Sequence, residues 1–221
     1  MDLYIKGDIV PNGEAWIYEY IGREYTSPEK VKEIMSQCQN DEVLNVYINS
    51  GGGDVFAGAE IYTLIANYRN TKIHIVGFAA SMASVIAMAG YCEISPVAQM
   101  MVHNVISSEQ GNYLDMEHKA KVLKNASETI AQAYIKKSGM SKEEIQNLMD
   151  EETWLSPEKA LELHLVDKIM DFDGNNQTNK IFKMSASYGS LPVEFIAKMQ
   201  KKRQKAMMSL NLLKLKGNFY D

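Results

Sequence analysis

Cysteine is scarce in this chain, and its two copies, Cys38 and Cys92, lack the spacing of metal ligands. With no secretory signal beside them they read as reduced thiols, which excludes a disulfide framework and places the protein in a cytoplasm. The amino-terminal stretch MDLYIKGDIV holds an early acid and only a short apolar patch, so no targeting segment is expected. Positive charge is also in short supply: 23 Lys and Arg face 28 Asp and Glu, a formal net charge of −5. Neutralising phosphates takes clustered Lys and Arg, so no nucleic-acid binding by the body is expected. Phosphate-binding signatures are missing too, since no GxGxxG occurs and no Lys-Ser/Thr follows the glycine run at Gly51. A GxSxG elbow is likewise absent.

One apolar run, IHIVGFAASMASVIAMAG from Ile73 to Gly90, approaches the length that spans a bilayer. Its internal grammar speaks against a span. KIHIVGFA is short and β-branched, whereas SMASVIAMA is rich in Ala and Met, so the run divides at Ala79 to Ser81 into a buried strand and a buried helix.

What is present suits one sizeable core: 221 residues, 46% hydrophobic and 23% charged. DLYIKGDI and VLNVYINS read as strands, with a helix from Ser27 to Gln39 between them. Ser27 suits its N-cap, Pro28 its first position and Glu29 the positive end of its dipole, while Lys30 stands where a capping box would need an acid. Further helices are expected over AEIYTLIANYRN, over Tyr113 to Lys137, after Ser141 with Glu144 at capping-box spacing, and after Ser156. YCEISP, AQMMVHN and LVDKIM supply strands. The alternation is that of an α/β chain with parallel crossover units, whose functional loops lie at the carboxyl ends of the strands.

Three features converge on those ends. Gly51, Gly52 and Gly53 follow a strand and precede a helix, where backbone amides can approach an oxyanion closely, although a plain tight turn would use the same residues. Ser81 sits at a strand-to-helix switch among Ala79, Ala80 and Ala83. Its hydroxyl suits an N-cap, and equally a nucleophile beside unpaired helix-end amides. His103 ends the apolar strand QMMV, whereas His74 lies within a strand, His118 on a charged helix and His164 at a helix end. A strand-end histidine is often structural; beside Ser81 and the glycines it is a candidate general base.

VYINSGGGDVFAGAEIY, GFAASMAS, MMVHN and WLSPEKALELHLVD resemble, in order and spacing, the signature segments of the Clp protease proteolytic subunit family, the ClpP-like serine peptidases. The likeness covers roughly Asp41 to Asp171. GGDVFAG, ASVIAMAG and MDEETWLS resemble the branch found among phage head-maturation proteases. The resemblance implies a ClpP/crotonase-like fold of repeated β-β-α crossover units with a helical handle, and a protease domain over residues 1–172. It implies serine endopeptidase activity on peptide or protein substrates without cofactor or metal. Ser81 would be the nucleophile, His103 the base, and the amides of Gly52 and Met82 the oxyanion hole. The family's third residue, an aspartate four before the serine or threonine that opens the last helix, falls on Glu152; Asp150 is the alternative, and a solvated acidic turn at Asp150 to Glu152 is the bland account.

The segment Tyr113 to Lys137 corresponds to the family's handle, which implies a homo-oligomeric ring. Members that work with a hexameric AAA+ unfoldase carry a segment before the first strand. Here LYIKGDIV comes almost at once, GEAWIYEYIGREYTSPEK intervenes before the first helix, and Gly51 replaces a usual proline, departures that put ATPase dependence in doubt. Residues 173–221 read as a linker and a basic C-terminal extension. From Lys180 to Asp221 nine Lys or Arg stand against two acids, which leaves about −12 for the residues before them. PVEFIAKMQKKRQKAMMSLNLLKLKG reads as a basic amphipathic helix suited to an acidic surface, a membrane face or a partner, or as a solvated extension. Two other classes share these features. Crotonase-like acyl-CoA hydratases and isomerases use the same architecture and backbone oxyanion holes without a Ser and His pair, and a noncatalytic assembly protein would keep the residues without aligning them.

Overall fold

The computed structural model describes residues 1–38, 42–172 and 191–217. Among the described residues eight strands form one sheet: β1 (Asp2–Ile9), β2 (Tyr25–Thr26), β3 (Leu44–Gly53), β4 (Thr71–Ala80), β5 (Tyr91–Ile94), β6 (Gln99–Val102), β7 (Thr153–Leu155) and β8 (Lys168–Ile169). The main path β2-β1-β3-β4-β5-β8 is parallel throughout. This is the mixed α/β architecture expected, with parallel strands joined through helices.

β4 organises the sheet because it serves two neighbours in turn. Its first half pairs with β5 from Lys72 to Ile75, and its second half pairs with β6 from Phe78 to Ala80. Ile73 and Ile75 are fully buried, each contributing about 1.5–3 kcal/mol of burial, as a strand covered on both faces requires. The apolar run ends β4 at Ala80 and opens α4 (Met82–Ala87), so Ser81 alone marks the division. No helix among the described residues is long and apolar enough to cross a membrane.

The remaining helices are α1 (Ala15–Ile21), α2 (Pro28–Met35), α3 (Val55–Ala66), α5 (Tyr113–Ser138), α6 (Lys142–Asp150), α7 (Pro157–Glu162) and α8 (Val193–Gly217). The expected caps form: Ser27, Ser141 and Ser156 each accept a backbone amide three residues on, and Ser141 with Glu144 closes a full capping box. α2 ends at Met35, short of the expected Gln39, which itself lies outside the described residues, as does most of the expected linker after Asp171.

Several elements differ from the sequence pattern. LVDKIM yields only the two-residue β8, because His164 and Leu165 turn back onto α7 through their amides. The glycine run is not a free loop, since β3 continues through Gly53 and pairs Asp8 with Gly52 and Ile9 with Gly53 after a register shift. That shift is made by Gly7, whose φ of +64° and close approach to Glu24 O leave no room for a Cβ. β7, three residues long and antiparallel to β6, carries too little pattern to read. The insertion before α2 folds into a 3-10 turn at Asn12–Glu14, α1 and β2. Ile17 and Tyr18 of α1 build a second small core with Val10 and Leu191, against which Phe195, Ile196 and Met199 of α8 pack.

Both cysteines are free thiols. Cys92 is fully buried on β5, and burial pushes its thiol up to about 12, which makes it inert as a nucleophile.

Candidate active site

Ser81 follows the last residue of β4, and its backbone adopts φ 53°, ψ −128°. A non-glycine residue there costs on the order of 1–3 kcal/mol, so the surroundings must hold it. They do so from several sides. The Ser81 amide donates to Met101 O of β6 (3.0 Å), and its carbonyl accepts from the amides of Ser84 and Val85 (3.0 and 3.2 Å). The buried Ser84 hydroxyl lies 2.7 Å from Ser81 O, 2.9 Å from Met101 O and 2.7 Å from the Tyr134 hydroxyl. Tyr134 comes from α5 and is itself buried, so burial keeps its phenol protonated and available as a donor.

With its backbone turned in this way, Ser81 makes no capping bond with its side chain, which disposes of the N-cap account. The hydroxyl instead lies 2.8 Å from Nε2 of His103. His103 stands one residue past β6, which β4 carries beside Ser81 through the pairing of Ala80 with Met101. Partial burial lowers the His103 pKa below the usual histidine range, and the nearby charge of Glu152 opposes that shift. The ring is therefore neutral near pH 7, able to accept a proton at Nε2.

β7 positions Glu152. Its antiparallel register sets Val102 opposite Thr153, so the next residues outward, His103 and Glu152, face each other across the pair. Glu152 is exposed, with φ 48°, and among the described residues no hydrogen bond joins its carboxylate to the imidazole. Asp150 is committed elsewhere. It accepts from Asn104 Nδ2 (2.6 Å) and Gln146 Nε2 (2.8 Å), bonds that hold its carboxyl below the usual carboxylate range. The charge of Glu152 is the one that opposes the lowering at His103, while Asp150 holds Asn104, the residue after it.

Gly52 closes the other side. It is buried at φ +93°, and a Cβ there would lie 2.7 Å from both Ala80 O and Ser81 Cβ and 2.9 Å from Met82 N. Its amide donates to Ser50 Oγ (3.1 Å), while the Ser50 hydroxyl donates to Gly7 O (2.6 Å). The chain of bonds thus runs from the β1 bulge to the site. Met82 is the first residue of α4, so its amide has no acceptor within its own helix.

Ser81, His103, Glu152, Gly52 and Met82 are therefore brought together from four separate chain segments. Sequence reasoning missed Ser84, Tyr134 and Ser50, which hold the site without reaching the hydroxyl of Ser81. Ser84 carried the same signal as Ser81, a hydroxyl inside an apolar run. Tyr134 carried none, being one aromatic on a long helix.

The family model described as Clp protease matches residues 28–173. The chain is also 32% identical over 149 residues to the ATP-dependent Clp protease proteolytic subunit of Deinococcus radiodurans, an alignment covering 65% of this chain and 73% of that one.

Gly52→Ala is expected to destabilise the fold by about 2–4 kcal/mol, because its methyl has no space and its φ is unfavourable. Gly51→Ala, with nothing within 4 Å of the added carbon, should stay within about 1 kcal/mol of the parent. Chemical denaturation of the two variants checks the contrast, and equal losses would contradict it.

Proposed function

Since this chain belongs to the Clp protease family, we propose that it is a serine peptidase of that type, hydrolysing peptide bonds in protein substrates through Ser81, His103 and Glu152. The observation that carries the reading is the 2.8 Å contact between the Ser81 hydroxyl and a neutral His103. A crotonase-like acyl-CoA site would have no use for that pair.

His103 Nε2 takes the hydroxyl proton as Ser81 Oγ attacks the scissile carbonyl carbon, and the carbonyl π pair moves onto oxygen. Glu152 stabilises the imidazolium so formed. The Met82 amide faces the resulting oxyanion. Gly52 supplies the second donor once Ser50 Oγ, which holds its amide at rest, yields to the substrate oxygen. Collapse expels the amine, which takes the proton from His103, and water repeats the sequence to free the acid from Ser81.

Assembly into rings, which the family implies, has a physical basis in α5. Tyr113, Leu114, Met116 and Val122 along its amino half are exposed, an apolar set of the kind association covers. A finer role in phage head maturation rests on GGDVFAG, ASVIAMAG and MDEETWLS. It is tested by incubation with capsid precursor, with and without an AAA+ unfoldase and ATP. Cleavage without the unfoldase supports it, and cleavage only with the unfoldase supports general protein turnover.

Ser81→Ala is expected to abolish cleavage of a fluorogenic peptide while leaving the circular dichroism and particle size unchanged; undiminished turnover would reject the assignment. The acid limb of kcat/KM should fall below about 6.5, the ordinary histidine value, since burial disfavours the charged ring. Glu152→Gln removes the charge that raises that value. The limb should then move to still lower pH, with kcat reduced roughly tenfold or more. An unmoved limb would assign the third role elsewhere.

A further inference from the structure

The helix α8 extends well beyond the surface that holds it. Its first turns are covered where Phe195, Ile196 and Met199 pack on the small core of Val10, Ile17, Tyr18 and Leu191, and the Arg203 guanidinium lies 4.8 Å from the Trp16 ring centroid. Beyond Met199 every residue from Gln200 to Ser209 is exposed. The helix runs on to Gly217, roughly 20 Å past Arg203 at the α-helical rise.

Two stripes follow this projecting part. Lys198, Lys201, Lys202 and Lys205 recur at i, i+3, i+4 and i+7, one basic face. The apolar line begun by Ile196 and Met199 continues at helical spacing through Arg203 to Ala206 and Met207, and the sequence extends it with Leu210 and Leu213. Met207 is 56% exposed. The apolar face is thus covered as far as Met199 and exposed at Ala206 and Met207. A helix of this length without tertiary cover is marginal in water, so the bare half calls for a partner.

Charge indicates which one. α8 carries seven Lys or Arg against one Glu, while the whole chain is −5, so the body of every copy is strongly acidic. Two α8 helices would repel each other, and from Lys201 to Ser209 the described residues of α8 are exposed. We propose that the projecting half of α8 docks on the acidic body of a second copy of this chain, tying neighbouring protomers of the assembly together. The inference is independent of the catalytic assignment.

The test uses the full-length chain in a Cys38→Ser background carrying Gln204→Cys, labelled with a thiol-reactive benzophenone. Equal parts of natural-abundance and nitrogen-15 protein are mixed, assembled and irradiated, with anionic phosphatidylserine vesicles added in a parallel sample. Expected are mixed-isotope cross-links from α8 to body peptides. A variant combining Lys198→Glu, Lys201→Glu, Lys202→Glu and Lys205→Glu, with unchanged monomer circular dichroism, should raise the protein concentration at which the particle dissociates about tenfold. Cross-links confined to single copies or joining two α8 helices would overturn the proposal. So would capture by the vesicles in place of a second copy, an unchanged dissociation concentration, or a chain that stays monomeric throughout.

Discussion

The site depends on one backbone conformation. Ser81 at φ 53° turns the chain from β4 into α4 and, in the same step, points the hydroxyl at His103 rather than at a helix amide. The cost of that conformation, about 1–3 kcal/mol, is matched by a few hydrogen bonds at about 0.5–1.5 kcal/mol each. Those between Ser84 and Met101 O and between Ser84 and Tyr134 are buried, where breaking them would cost more than in water. The geometry of the reacting pair is therefore a property of β4, β6, α4 and α5 together.

The same arrangement explains how residues distant in sequence acquire complementary roles. β4 changes neighbours from β5 to β6, which brings His103 to the end of Ser81's own strand. The short β7 then reverses against β6 and lays Glu152 opposite His103. Gly52 completes the enclosure because no side chain fits between it and the Ser81–Met82 peptide. Burial lowers the His103 pKa and so favours its neutral ring, and the nearby charge of Glu152 opposes that shift.

Much of this was legible in the residues. The apolar run with a hydroxyl at its centre fixed the break between β4 and α4, and the cap, proline and acid patterns at Ser27 and Ser156 located two helices. The family resemblance put Glu152 at the third place with Asp150 as the alternative, and the register of β7 sets Glu152 across from His103. What could not be read depends on contacts between segments. The strain at Ser81, the hold of Ser50 on the Gly52 amide and the reach of Tyr134 from α5 leave no periodic trace. Strands of two or three residues, β7 and β8, are too short to carry one, and the fold of α1 against α8 joins segments far apart in the chain.

The central claim is that the Ser81 hydroxyl is activated by His103. It is tested most directly by treating the assembled protein with a serine-reactive peptide phosphonate and mapping the adduct by peptide mass spectrometry across a pH series. The account predicts a single adduct on Ser81, with a labelling rate that falls as His103 becomes protonated. Modification of a different serine, or none at any pH in the assembled particle, would contradict it.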